Sequence, residues 1–170
     1  MKDEMIHFEP RAGEGAMLRR AFGQFGTGVT IVTAMTDRGP LGMTANSFSS
    51  VSLAPPLVLW SAAKRSKRHD AFAKAQHYCI HVLGSDQVAL ANHFATEGEA
   101  FESFDWVKGP DGAPTLPGCL AAFQCNTYAV HPAGDHSLIV GEITHAAVTD
   151  RTLSGLIFHK GTFGAFVAEG

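Results

Sequence analysis

Apolar residues recur in two rhythms along this chain. From Gly15 onward, Met17, Leu18, Ala21, Phe22 and Phe25 fall at i, i+1, i+4, i+5 and i+8, with Arg19, Arg20 and Gln24 on the other face. That spacing predicts an amphipathic helix stopped at Gly26. A β-branched run from Val29 to Met35 follows, and the turn Thr36-Asp37-Arg38-Gly39-Pro40 returns the chain through Leu41–Leu53, so the pair reads as a hairpin. Pro55-Pro56 breaks the chain ahead of a strand at Leu57–Ser61. Two short helices, Lys67–Ala75 and Asp86–Ala95, flank a strand at Tyr78–Leu83, with Ser85 placed to cap the second. Residues 96–118 are loop-rich. Cys119–Val130 and Ser137–Val148 form two long strands, and Leu156–His159 leads into an aromatic tail of Gly161, Phe163, Gly164 and Phe166.

Strands outnumber helices, and hairpin-length turns make them antiparallel. A parallel nucleotide-binding sheet would need regular strand–helix alternation and a Gly-rich first turn. Here Gly23-Gln24-Phe25-Gly26-Thr27-Gly28 lies after a helix and before a strand, the reverse of the dinucleotide fingerprint, and reads as a helix stop. The predicted architecture is mainly β, a small barrel with a few packed helices. Residues 1–13 lack periodicity and are expected to be an N-terminal arm, with residues 14–170 a single domain.

Composition narrows the picture. A chain of 170 residues with 45% apolar and 17% charged residues is globular, not disordered. A net charge of −3 argues against nucleic acid as a whole-molecule partner. No apolar run reaches membrane-spanning length, and the acids within Met1–His7 do not suit a signal peptide, so no membrane partner and a cytoplasmic location are expected. Cys79, Cys119 and Cys125 are odd in number and form no CxxC pair, which predicts buried reduced thiols. His77 and His81 share a strand face without a ligand bite, and His93, His131, His145 and His159 lack metal-ligand spacing, so no metal site is expected. No GxSxG or paired nucleophile and base stands out.

Three segments carry candidate chemistry, each with two readings. In Gly42–Ser52, six of eleven residues are short hydrogen-bonding side chains, which suits a solvated edge face or a groove for the polar rim of a planar heterocycle. Lys64–Asp70 holds four of the thirteen Lys and Arg residues at a predicted helix start. Cations there oppose the macrodipole, so the segment is either a basic surface patch or an anion site. Pro132–Ser137 is a tight turn whose Asp135 and His136 serve either the turn itself or a cleft beside it.

Together these segments resemble the short-chain flavin reductase family, the reductase components of two-component flavin monooxygenases. The matching pieces are Leu18–Thr33, the Gly42–Leu59 signature, the Gly-Asp-His turn in Ala133–Ile143, and the closing Phe158-His159-Lys160-Gly161-Thr162-Phe163. The resemblance implies a flavin-binding split β-barrel, as a homodimer, that moves a hydride from NADH or NADPH to FMN or FAD. Reduced flavin would then pass to a separate flavin-dependent monooxygenase component. By resemblance the flavin ring falls on Thr44, Ala45, Asn46 and Ser47 with Ser50 nearby, and the strand end and phosphate region on Ser61, Ala62, Ser66 and Lys67. His136 and Phe163 fall on the nicotinamide side, with His136 expected to position the ring, not to donate a proton. Arg65, Arg68 and Thr162 depart from the family's frequent Ser, Thr and Arg. The rival readings are a split-barrel oxidase that keeps its flavin and oxidises a small substrate, and a non-enzymatic flavin carrier or sensor.

Overall fold

The computed structural model describes residues 5–11 and 15–168. Residues 5–11 lie exposed outside any helix or strand. The expected arm and the start of the expected domain therefore fall partly outside the described residues.

Helix α1 (Gly15–Phe22) is followed by the short strand β1 (Thr27–Gly28), then β2 (Thr30–Thr36), β3 (Gly39–Ala45), β4 (Ser49–Leu53) and β5 (Pro56–Ala63). Next come α2 (His69–Lys74), β6 (His77–Val82), α3 (Val88–Thr96) and the small pair β7 (Val107–Lys108) and β8 (Pro114–Thr115). The chain finishes with the long hairpin β9 (Ala121–Ala133) and β10 (His136–Val148), then β11 (Leu156–His159) and β12 (Thr162–Ala165). Seven strands pair in the order β3-β2-β6-β9-β10-β5-β4, and β1-β11-β12 form a second, three-stranded sheet. Among the described residues no helix is long and apolar enough to cross a membrane.

The strand order forces curvature. β3 and β4 are the two edges of the large sheet, yet Ala45 and Ser49 are separated only by Asn46, Ser47 and Phe48. Laid flat, seven strands would hold those edges about 29 Å apart. Four residue steps reach at most about 14 Å. The sheet must therefore roll until its edges approach, and because β3 and β4 do not pair, the barrel is split along that seam. Bulges in β4 at Val51, in β9 at Tyr128 and in β10 at Thr144 supply local bending.

This corrects the single return strand expected over Leu41–Leu53, which breaks at Asn46 because its second half pairs with β5 instead of β2. The first helix also ends a turn earlier than its apolar spacing predicts. None of its residues is buried, and the chain closes in three-residue turns, Gln24 N–H to the Ala21 carbonyl and Phe25 N–H to that of Phe22. Ser85 does not cap α3. Gln87 stands at that cap and returns its side-chain carbonyl to Gly84 N–H at 2.9 Å.

Two cores lie on opposite faces of β2. Val32 and Ala34 point into the barrel with Trp60, Tyr78, Ile80, Ile139 and Phe72 of α2. Val29 and Ile31, at its start, face outward against Leu90, Ala91 and Phe94 of α3. Such two-sided coverage buries five successive residues of β2 and explains why this strand reads as a continuous β-branched run. Gly42 on β3 is required by the same packing, since a Cβ there would stand 2.5 Å from the Phe94 ring.

Candidate functional site

The seam and the end of β5 border two adjoining clefts. The smaller, of about 550 Å³, has Val29, Met43, Thr44, Asn46, Arg65, Ser66, Phe158 and Phe163 in its walls, with Arg68 and Ala95 at the α3 side. The larger, of about 1280 Å³, takes in Thr27, His136, Lys160 and the last turn of α1. Asn46, Arg65 and Phe158 line both, so the two spaces adjoin at these side chains.

Local chemistry explains how each wall is held. The β9–β10 turn has two central residues with a positive φ only at Gly134 (60°), as a type II′ hairpin requires. Lys64 clamps it, donating from Nζ to the Gly134 carbonyl at 2.6 Å and from its backbone N–H to the Asp135 carbonyl at 2.9 Å. His136 then begins β10 opposite Ala63 of β5. Its Nδ1 lies 2.7 Å from Asp135 Oδ1, and since a carboxylate only accepts, Nδ1 carries the proton. That hydrogen bond from His136 holds the Asp135 carboxyl below the usual carboxylate range. The neighbouring Ser137 is tied to α2 through His69 Nε2 at 2.9 Å, while His69 Nδ1 donates to Asp70 Oδ1 at 2.9 Å. The imidazole of His136 is thus presented from a braced strand with 43% of its side chain exposed.

The opposite wall comes from the hairpin β11–β12. Lys160 (φ 50°) and Gly161 (φ 82°) form its two-residue turn, both in the left-handed region as a type I′ turn demands. Phe158 and Phe163 pair directly across the strands with ring centroids 5.3 Å apart. Lys160 N–H donates to the Gly23 carbonyl at 3.0 Å and so fixes this turn against the end of α1.

The residues singled out in the sequence divide into two groups. Thr44, Asn46, Ser66, His136 and Phe163 line the clefts, although Phe163, expected beside His136 on the nicotinamide side, lines only the smaller cleft while His136 lines the larger. Thr44 spends its hydroxyl on the Ala91 carbonyl of α3 at 2.6 Å, so its role there is to hold the seam. Ala45, Ser47 and Ser61 form the seam's framework. The Ala45 carbonyl accepts Thr30 Oγ1–H at 2.8 Å, and Ser47 Oγ receives the Ser61 N–H at 2.9 Å. Ala62 is wholly buried in the barrel core, and Ser50 is exposed on the edge strand β4. Lys67 is exposed in the turn before α2 and lines neither cleft.

Arg19, Arg20, Lys160 and Phe158 line the clefts without having been named as site residues, and Arg65, weighed only within the basic Lys64–Asp70 segment, lines both. For Lys160 the available signal was the Lys-Gly pair in the closing hairpin, which marks a tight turn and so a projecting cation. Arg68, grouped in the sequence with the other cations, has a different task. Its guanidinium donates to the carbonyls of Gly42 (2.9 Å), Phe94 (2.7 Å) and Ala95 (3.0 Å), joining β3 to the last turn of α3. Burial pushes its pKa down from the ordinary value, with Glu97 opposing.

Among the described residues the three cysteines are free and unprepared as nucleophiles. Burial pushes the thiols of Cys79 and Cys125 up to about 12 and that of Cys119 to about 11. His81 is fully buried; its Nδ1–H donates to the Ile31 carbonyl at 3.0 Å while Nε2 accepts Leu116 N–H at 3.1 Å. Burial lowers its pKa to about 4, so it is a neutral bracket between β2 and the β8 loop.

Comparison with known proteins follows this geometry. Residues 22–166 match the flavin reductase like domain. The chain is 52% identical over 159 residues to the FMN reductase (NADH) SmoA of Agrobacterium fabrum, covering 94% of this chain and 90% of that one. It is 43% identical over 148 residues to the reductase component of the flavin-dependent trigonelline monooxygenase of Acinetobacter baylyi. That match covers 86% of this chain but 47% of the relative, so the chain spans about half of that protein's length. Among solved structures, the Streptomyces globisporus C-1027 NADH:FAD oxidoreductase SgcE6 in complex with NAD and FAD fragments superposes with a TM-score of 0.87 at 37% identity. It covers 95% of this chain and 98% of its own. A match that spans the split barrel from the end of α1 to β12 has one consequence: this chain belongs to the flavin reductase like domain family.

Proposed function

We propose that this chain is an NAD(P)H-dependent flavin reductase that supplies reduced FMN or FAD to a separate flavin-dependent monooxygenase. The observation that carries the reading is the meeting of two clefts at Asn46, Arg65 and Phe158. One is sized and lined for a planar heterocycle, and the other opens beside it. The smaller volume lies within the roughly 300–1,000 Å³ of small-molecule sites. Its walls also suit a flavin. Phe158, Phe163, Val29 and Met43 offer apolar contact to a ring, Asn46 an amide for its polar edge, and Ser66 and Arg65 partners for a phosphate.

With both cofactors bound, the chemistry supplied is hydride transfer from a nicotinamide to a flavin. The chain's residues do the rest. The aromatic pair covers one side of the cleft and excludes water, and the Asn46 amide stabilises negative charge gathering at a ring edge. His136, braced by Asp135 and by Ser137 beside it, orients the second ring. No nucleophile or strong base is demanded, in keeping with the raised thiol pKa values.

A homodimer and a cytoplasmic location complete the reading. Leu53 (96% exposed), Val51, Tyr128 and Val148 are exposed apolar side chains on β4, β9 and β10 that a second copy would cover. Three free cysteines suit a reducing compartment. Light scattering at micromolar concentration is expected to return twice 18.1 kDa.

The deciding experiment mixes purified protein with NADH or NADPH and catalytic FMN or FAD, and follows loss of the reduced nicotinamide absorbance. Turnover of added flavin is expected. An oxidase that keeps its flavin would not reduce the added pool, and a carrier would bind flavin without consuming dinucleotide.

A further inference from the structure

The larger cleft has a rim that hydride transfer does not explain. Arg19 and Arg20 of α1, Arg65 of the β5–α2 turn and Lys160 of the β11–β12 turn all line it, although the chain as a whole carries a charge of −3. Among the described residues none of these four cations forms an ion pair, and no Asp or Glu lines the cleft. The carboxylate that Arg65 feels at longer range, Asp135, is already bonded to His136.

Helix polarity accounts for basic residues in the last turn of α1. It does not account for Arg65 and Lys160, which arrive at the same space from two other segments. The arrangement is also built and not accidental, because Lys160 N–H on the Gly23 carbonyl holds the hairpin turn against the helix end. Converging four like charges costs free energy unless an anion shares the space. Arg19 and Arg20 are exposed and α1 buries no residue, so packing does not explain their position either.

We infer that the rim formed by Arg19, Arg20 and Lys160 holds the diphosphate of the nicotinamide dinucleotide, with Arg65 shared between that dinucleotide and the flavin phosphate. This rests on the flavin reductase reading above. The assignment to the donor follows from placement. His136 lies in the same cleft as the cations, whereas Ser66 and Phe163 lie only in the smaller one. A dinucleotide whose nicotinamide meets His136 would therefore carry its diphosphate toward α1. Specificity for a dinucleotide over a mononucleotide donor would reside in that helix.

The test compares NADH with reduced nicotinamide mononucleotide, which lacks the diphosphate bridge and the adenosine, on wild type and on an R19Q/R20Q variant. The ratio of kcat/KM for NADH to that for the mononucleotide is expected to fall about tenfold in the variant, as loss of charge-assisted phosphate contacts would produce. The KM for NADH should also rise with salt in wild type and respond less in the variant. Exposed α1 positions leave folding intact, and matched circular dichroism melts confirm it. Lys160→Gln, in a different element, should lower the same ratio. An unchanged ratio overturns the inference. So does a variant that loses affinity for FAD but not FMN while the donor ratio holds, since the rim would then serve the flavin's diphosphate. A wild type that oxidises no NADH with either flavin would instead sink the reductase reading itself.

Discussion

Arg65 and Arg68 stand three residues apart in one basic run, yet they belong to regions built on opposite terms. Arg68 borders the smaller cleft too, but its terminal guanidinium nitrogens are committed to backbone. Its guanidinium satisfies three carbonyls at the junction of β3 and α3, and nearby Thr44 closes the Ala91 carbonyl. Around Arg65 the groups are left over. Among the described residues Arg65 forms no ion pair, and Asn46, Lys160 and a 43%-exposed His136 line a common space with it. The junction is polar because the fold needs its carbonyls paired where water is scarce. The cleft is polar because its groups are held in reserve for a partner. A histidine pair shows the same division. His81 has both ring nitrogens on backbone groups, whereas His136 has one on Asp135.

The contrast breaks most visibly at Arg68. Arg68→Met is expected to cost about 3 kcal/mol of stability by leaving carbonyls unpaired at the β3–α3 junction, and to weaken flavin binding through the displaced seam. Arg65→Gln should leave stability within about 0.5 kcal/mol. Urea unfolding of the two variants decides whether junction and rim differ as described.

His81 yields a pH dependence. Its pKa lies at about 4 in the folded chain against an ordinary 6.5, so the unfolded chain binds the extra proton between those values. Stability is therefore complete above about pH 6.5 and falls as pH drops toward 4, by roughly 3 kcal/mol from this group alone. A neutral His81→Gln should be less stable at pH 7 but flatter across that window, measured by urea midpoints at several pH values.

Smaller effects sharpen the cleft. Arg65→Gln is expected to weaken FMN about tenfold while sparing riboflavin, which lacks phosphate, and Lys67→Ala should do less because Lys67 lines neither cleft. Fluorescence titration with both ligands ranks the two cations. If Lys67 dominates, the phosphate lies nearer α2 than the clefts indicate. For His136→Ala a severalfold rise in the KM for NADH should outweigh the fall in kcat, with flavin affinity hardly altered. Steady-state kinetics would refute a positioning role by showing the loss mainly in kcat.

Much of this protein was settled by local chemistry and so was readable in the chain. A continuous β-branched run reads as a strand covered on both faces, as β2 is, and the Gly134 turn is legible because glycine enters positive φ without steric cost. Cys79 and Cys125, set in apolar strand runs, are buried as their surroundings in the sequence predict, while Cys119 is half-buried. Tertiary structure decided the rest. The break at Asn46 comes from sheet closure, because a strand pattern records which face is apolar and not which partner a strand will find. The separate fates of Arg65, Lys67 and Arg68 follow from one turn of backbone that aims three similar side chains at a cleft, at solvent and at three carbonyls. Sequence states the charges, and only the fold determines which of them have already been neutralised.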